Sequence, residues 1–132
     1  MKTLGLGKTG LQVSRIGFGG IPIQRLTEAE AIRVVGRCLE LGVTLLDTAH
    51  GYSTSEERIG KALAAASVER ERVILATKTP ARDRATARDH LDLSLQRLGV
   101  ESIDLWQLHN VSSFEAYEQV LGPDGALQAA QE

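Results

Sequence analysis

Four ionisable or phenolic side chains stand at matching points of a repeating pattern in this sequence of 132 residues. Asp47 ends the apolar run VTLLD, Lys78 ends VILATK, and His109 follows LWQL, while Tyr52 lies in the loop just beyond Asp47. Taken singly, each of these residues is more often a turn former, a packing residue or a solvated side chain. Their repetition at the ends of consecutive strand-like runs instead favours a shared site.

These residue types together are suited to protonating a carbonyl oxygen. A free phenol is a weak proton donor at neutral pH because its pKa is about 10, and a lysine ammonium beside it favours the phenolate. An aspartate paired with the lysine would hold it charged and in place, and a histidine could orient the substrate oxygen. None of these groups supplies a hydride, so a reduction would require a nicotinamide cofactor.

The surrounding pattern predicts the elements that position these residues. Alternating apolar residues on both sides of Lys8-Thr9-Gly10 predict an N-terminal β-hairpin, and the next strand ends in Gly19-Gly20. Strand-like runs then alternate with stretches of helical periodicity. Capping-box spacing predicts four helix starts, at the pairs Thr27 with Glu30, Ser53 with Glu56, Thr86 with Asp89, and Ser112 with Glu115.

This alternation predicts an α/β protein with a parallel sheet. An open doubly wound sheet and a (β/α) barrel both remain open, and both place their sites at the carboxyl ends of the strands. The stretch GFGGIP is only a partial match to the dinucleotide-binding turn, which favours the barrel. A complete barrel needs roughly 250 residues, so the chain would supply about half of one.

Composition restricts the class of partner. The chain is 42% hydrophobic and 24% charged with a formal net charge of −2, so one globular domain is expected, with neither nucleic acid nor membrane as partner. Cys38 is the sole cysteine, which excludes an internal disulfide and a cysteine metal cluster. The first residues lack the apolar core of a signal peptide, and the expected location is the cytoplasm. His90, among charged neighbours, is predicted to face solvent.

Four stretches of the sequence resemble the aldo-keto reductase family. LGKTGLQVSRIGFGG is similar to the family's opening hairpin and first strand, and ILATK to the strand that carries its catalytic lysine. LLDTAHGYSTSEERIGKAL matches the pattern D-T-A-x-x-Y-x-x-S-E-x-x-I-G-x-A-L at every specified position, and LDLSLQRLGVESIDLWQLH is similar to S-L-x-R-L-G…I-D-L…H. The resemblance, with features of a bacterial or archaeal subgroup, implies a (β/α)₈ barrel of TIM type. Residues 1–132 would form its N-terminal half, a hairpin and roughly four β/α units.

The resemblance also implies NADPH-dependent reduction of aldehydes or ketones. Tyr52 would donate the proton, and Lys78, paired with Asp47, would lower the pKa of the Tyr52 phenol. His109 would position a small carbonyl substrate. It further implies a set of residues against NADPH and no metal ion: Gly19, Gly20, Ile21 and Asp47.

Two alternatives belong to other classes of function. The fifth to eighth strands of the family, which hold much of the cofactor, lie outside this sequence. The chain could therefore be a truncated, non-catalytic fragment or interaction module that keeps these four residues but cannot hold the cofactor alone. Such a chain would self-associate through an unpaired sheet edge. A metal-dependent hydrolase barrel with Asp47 and His109 as ligands is the third possibility.

Overall fold

The computed structural model describes residues 1–132, which fold into a hairpin followed by strands and helices in alternation. The strands are β1 Thr3–Gly5, β2 Gln12–Ser14, β3 Phe18–Gly19, β4 Leu45–Asp47, β5 Ile74–Thr79 and β6 Leu105–Leu108. The helices are α1 Glu28–Glu40, α2 Ser55–Ala66, α3 Arg84–Leu98, α4 Phe114–Leu121 and α5 Ala126–Ala129, with 3₁₀ turns at Ile21–Arg25 and Arg70–Arg72. None of the helices combines the length and apolar character that crossing a bilayer demands.

The four later strands form one parallel sheet in the order β3-β4-β5-β6. Asp47 lies opposite Gly19 on one side and Ala76 on the other, and Lys78 lies opposite Gln107. Strand order that follows chain order, with a helix after each strand, is that of a (β/α) barrel, whereas a doubly wound sheet reverses its order. The structure is therefore part of a barrel, and β3 and β6 each have one edge without a partner strand.

Alternation along the strands separates a helix-packed face from a site face. Leu46 and Leu75 are almost fully buried against the helices, and the next residue of β4, Asp47, points to the other face. Thr77 of β5 also faces the helices, so Lys78 faces the same side as Asp47. The core between sheet and helices is made of aliphatic side chains: Ile23, Ala31, Val35, Val43, Leu46, Ile59, Ala62, Val73, Leu75 and Leu98.

The N-terminal hairpin lies at the amino-terminal end of the sheet, away from these polar residues. β1 and β2 pair antiparallel. The Ser14 amide donates to Thr44 Oγ1 and the Thr44 amide donates to Ser14 Oγ, both at 2.8 Å. This reciprocal pair fastens the hairpin to the residue before β4 and leaves the carboxyl edge uncovered.

The predicted capping pairs of α1 and α2 have different outcomes in the structure. The capping box of α1 is confirmed, because the Glu30 amide donates to Thr27 Oγ1 and the Thr27 amide donates to Glu30 Oε2. The predicted pair Ser53 with Glu56 is wrong. Ser53 lies at a positive φ of 37° with its hydroxyl donating to Gln24, and Glu56 is buried beneath α2.

The other two helix starts are displaced from the predicted residues. α3 begins three residues earlier than predicted, because Asp83 accepts the hydrogen bond of the Thr86 amide at 2.9 Å. Thr86 is therefore a first-turn residue rather than the cap. For α4 the cap is Ser113 rather than Ser112, and its hydroxyl accepts from the Ala116 amide at 3.1 Å.

Candidate active site

The carboxyl edge of the sheet holds an ion pair between its two central strands. Lys78 Nζ donates to Asp47 Oδ2 at 2.7 Å and to the Thr48 carbonyl oxygen at 2.6 Å. The lysine side chain is 15% exposed and the aspartate 39%, so the ammonium is the more enclosed partner. Two acceptors fix the ammonium in position, while the half-exposed carboxylate remains open to a ligand.

Tyr52 and His109 complete the group of four predicted residues. Lys78 Nζ lies 5.2 Å from the centroid of the Tyr52 ring. The rings of Tyr52 and His109 meet edge to face, with centroids 5.5 Å apart and planes at 78°. The structure thus brings all four residues to one edge of the sheet, and the catalytic roles assigned to them stay a prediction.

Burial and charge act together on His109. Burial and the neighbouring Lys78 ammonium lower the pKa of His109, with a further contribution from Arg82, while Asp47 opposes the shift. These effects favour the neutral imidazole, which carries one N–H donor. Arg82 also fixes the backbone here, because Nη2 donates to the His109 carbonyl at 3.0 Å and to that of Asn110 at 2.9 Å.

The end of β3 and the turn that follows it contain three of the four residues predicted to contact a cofactor, Gly19, Gly20 and Ile21. The Gly20 amide donates to the Asp47 carbonyl at 2.7 Å, and Ser55 Oγ donates to the Gly20 carbonyl at 2.9 Å. A Cβ at Gly20 would lie 2.5 Å from Ser55 Oγ, so packing against α2 already requires glycine there. A Cβ at Gly19 would meet no atom within 4 Å, and Ile21 is 53% exposed. Gly19 and Ile21 therefore present open surface beside Asp47.

A second polar group, which the sequence did not reveal, lies beneath α2 and α3 on the opposite face of β5. Glu56 is 1% exposed, accepts from Thr77 Oγ1 at 2.7 Å, and contacts Arg97 Nη1 at 3.4 Å. Arg97 Nη1 also reaches the His50 carbonyl at 3.3 Å, which ties α3 to the loop of Tyr52. Glu56 is the glutamate of the pattern D-T-A-x-x-Y-x-x-S-E, and Arg97 is the arginine of S-L-x-R-L-G. Their place in these two motifs was the one sequence feature that could have indicated a role for them.

His50 and His90 form an unpredicted contact beside this group. Their rings stack with centroids 3.7 Å apart and planes at 16°. His90, predicted to face solvent, is instead half-buried, and its Nδ1 lies 2.9 Å from Thr79 Oγ1. The prediction was wrong because the first turns of α3 lie against the end of β5.

The structure offers no ligand set for the metal-dependent hydrolase alternative. No group of three or more His, Cys, Asp or Glu side chains is placed to hold a metal ion. Asp47 is instead paired with Lys78, a cation that would compete with a metal for the carboxylate.

Comparison with known proteins identifies the family. The model of the aldo/keto reductase family matches residues 15–131. Among curated proteins, the chain is 32% identical over 128 residues to L-galactose dehydrogenase of Arabidopsis thaliana, covering 88% of this chain and 40% of that protein. It is 39% identical over 124 residues to 6-dehydroglucose reductase of Novosphingobium aromaticivorans, covering 79% and 40%.

A solved structure supports the same relationship. The holo form of an aldo-keto reductase from Bacillus halodurans superposes with a TM-score of 0.74 at 33% identity, covering 91% of this chain and 46% of that one. The chain thus spans about two fifths of the length of these curated relatives and under half of the solved structure. By the family model and this fold, the chain belongs to the aldo/keto reductase family.

Proposed function

We propose that the chain provides the proton-donating half of an NADPH-dependent reductase of aldehydes and ketones. Membership of the family supports an oxidoreductase that acts on carbonyl compounds. The observation that carries the finer proposal is the position of Lys78, whose ammonium is held by Asp47 and lies over the Tyr52 ring. This arrangement holds a fixed cation beside the ring of the proposed proton donor.

Tyr52 is the proposed general acid. When the phenol gives its proton to a carbonyl oxygen, negative charge develops on the ring oxygen. The Lys78 ammonium stabilises that charge, and Asp47 together with the Thr48 carbonyl keeps the ammonium from turning away. Because the lysine is mostly enclosed, its attraction is screened less than at an exposed site.

His109 is the proposed positioning group for the substrate. Its neutral imidazole can donate one hydrogen bond to the carbonyl oxygen. The edge-to-face contact between the His109 and Tyr52 rings supports this role, because one substrate oxygen would then be able to meet both groups.

NADPH fits the open surface beside these residues. Gly19 has no neighbour that its missing side chain would meet, Ile21 is exposed, and the Asp47 carboxylate is half-exposed. Gly19, Gly20, Ile21 and Asp47 would line the cofactor on this half of the barrel. When bound, NADPH supplies the hydride that none of the four catalytic residues can provide.

The substrate class is a small-molecule carbonyl compound. Two similar proteins carry names that refer to sugars, L-galactose dehydrogenase and 6-dehydroglucose reductase. The many polar groups at this edge, among them Asp47, Lys78 and His109, are suited to a hydroxylated carbonyl compound. A sugar-derived aldehyde or ketone is therefore a suitable first substrate to test.

A second candidate function is that of an interaction module without turnover. The observation that favours it is the pair of unpartnered edges on β3 and β6. Unpaired strand edges are templates for association with another chain. In this case the chain self-associates or joins a partner through the half-barrel edge.

Cofactor titration separates the two functions. The primary proposal expects saturable NADPH binding, followed by nicotinamide fluorescence, and NADPH oxidation on addition of an aldehyde. Gly19→Val should weaken that binding by about tenfold, because the new side chain fills the open surface, with an unchanged circular dichroism spectrum as the control. Absence of NADPH binding, combined with an oligomer whose population rises with protein concentration, would contradict the reductase proposal and favour the module.

A further inference from the structure

The stacked pair of histidines is anchored to β5 on one side. His90 Nδ1 lies 2.9 Å from Thr79 Oγ1, and that same hydroxyl oxygen accepts from the Ala81 amide at 3.1 Å. Because a hydroxyl oxygen has two lone pairs and one hydrogen, Thr79 can bind the Ala81 amide and His90 Nδ1 together. The contact therefore fastens the His90 ring to the end of β5.

On the other side the pair is joined to the loop that carries Tyr52. The His50 amide donates to the Lys78 carbonyl at 2.9 Å, and the His50 carbonyl accepts from Arg97. Two residues further on, the Tyr52 amide donates to the Ala49 carbonyl at 2.9 Å, which closes a tight turn around His50. A displacement of His50 would therefore move both the turn and its tyrosine.

We propose that His90 is a positioning residue for Tyr52. By stacking on His50 it holds the tyrosine loop against β5. The role of Tyr52 itself rests on the proposed function. The stacked pair lies on the helix-packed side of β5, outside the group of four residues that would meet the substrate.

The charged groups around the pair provide little compensation for a positive charge on both rings. His50 faces His90 and Arg97 from α3 and Glu56 from α2. From β5, the Lys78 carbonyl accepts from the His50 amide and the uncharged Thr79 hydroxyl contacts His90. Burial, His90 and Arg97 lower the pKa of His50, and Glu56 opposes them. Glu56, the anion that acts on His50, already contacts Arg97. Two protonated rings at stacking distance would repel each other, so acid should separate them.

Amide hydrogen exchange of the 132-residue chain, without cofactor or substrate, tests the proposal. The readouts are the protection factors of the His50 and Tyr52 amides, with the Ser14 amide in the distant hairpin as an internal reference. Two variants separate the stack from its charge. His90→Ala removes the ring, whereas His90→Phe keeps a flat ring that cannot be protonated.

At pH 7.5, His90→Ala should lower both protection factors by about two- to tenfold, the range expected for one aromatic contact. His90→Phe keeps the stacked ring but loses the hydrogen bond to Thr79, so it should lower them less than His90→Ala does. Between pH 7.5 and 5.5, both protection factors should fall in the wild-type chain and stay level in His90→Phe. His109 is present in both chains, so the difference between them reports the pair alone.

Two results would overturn the proposal. One is unchanged protection of the His50 and Tyr52 amides in His90→Ala, and the other is the same pH dependence in the wild-type and His90→Phe chains. If His90→Ala fails to fold, the pH dependence of protection in wild type and His90→Phe still tests the proposal. Since no step requires turnover, an inactive chain would count against the proposed reductase without affecting this result.

Discussion

Replacing Gly60 by alanine should destabilise the chain, whereas the same replacement at Gly36 should stabilise it. Both glycines lie inside helices, Gly36 in α1 and Gly60 in α2. In a helix interior alanine is more favourable than glycine by about 0.8–1.0 kcal/mol. The difference between the two sites therefore comes from what the added methyl group meets.

At Gly36 a Cβ would meet no atom within 4 Å, so the helix propensity term acts alone. At Gly60 a Cβ would lie 2.6 Å from the Leu98 carbonyl oxygen and 2.7 Å from that of Arg97. Those oxygens belong to the end of α3 and cannot rotate away, so α2 and α3 must move apart. Overpacking of this kind costs about 1–3 kcal/mol. Most values in that range exceed the gain of about 0.8–1.0 kcal/mol in helix propensity.

Urea unfolding of the three chains, followed by circular dichroism, measures the effect. Gly36→Ala should raise the free energy of unfolding by about 1 kcal/mol, and Gly60→Ala should lower it by up to about 2 kcal/mol once the gain in propensity is subtracted. The separation of α2 from α3 should also weaken the contact between Glu56 and Arg97, which depends on their close approach. Equal stabilisation by both substitutions would refute the close helix approach.

Three further predictions concern the site. Gly20→Ala should lower the free energy of unfolding by about 1–3 kcal/mol, because of the Ser55 hydroxyl, whereas Gly19→Ala should change it by less than about 1 kcal/mol; equal urea midpoints would argue against this. Arg97→Leu should cost about 2–3 kcal/mol by leaving Glu56 buried without its cation, and adding Glu56→Gln should recover at least half. Burial lowers the pKa of His50 and His109, so the unfolded chain binds protons that the folded chain does not. The free energy of unfolding should therefore fall as the pH drops below 6.5. Urea unfolding at pH 7.5 and 5.5 measures this change, and a higher free energy of unfolding at pH 5.5 would contradict it.

Much of the fold could be predicted because the signals for it are local. The alternation of apolar runs and helical periods gave the sequence of elements, and the Thr27–Glu30 box marked the start of α1 because both partners are exposed and contact only each other. The same spacing failed at Ser53 and Glu56. There the Glu56 carboxylate is buried and binds Thr77 and Arg97, which lie 21 and 41 residues further along the chain.

In the candidate site, too, residues marked by local patterns could be predicted, and residues placed by contacts between distant elements could not. Asp47, Lys78 and His109 could be placed from sequence because strand ends in a parallel sheet converge, and Tyr52 because it follows one of them closely. His90 could not, since its position depends on how α3 lies against Thr79, which no local pattern reports. The alternative of a doubly wound sheet was decided only by the observed strand order.

Turnover of Tyr52→Phe, with Tyr117→Phe as the matched control, tests the central claim most directly. Tyr117 is 51% exposed on α4 and stacks with Phe114, away from the four residues of the site. Removing the Tyr52 hydroxyl should lower the rate of NADPH oxidation with an aldehyde by about 10²–10⁴-fold, while the NADPH dissociation constant stays within about twofold because the hydroxyl acts mainly at the transition state. Tyr117→Phe should match wild type in both. A Tyr52→Phe chain that turns over at the wild-type rate would show that Tyr52 is not the acid.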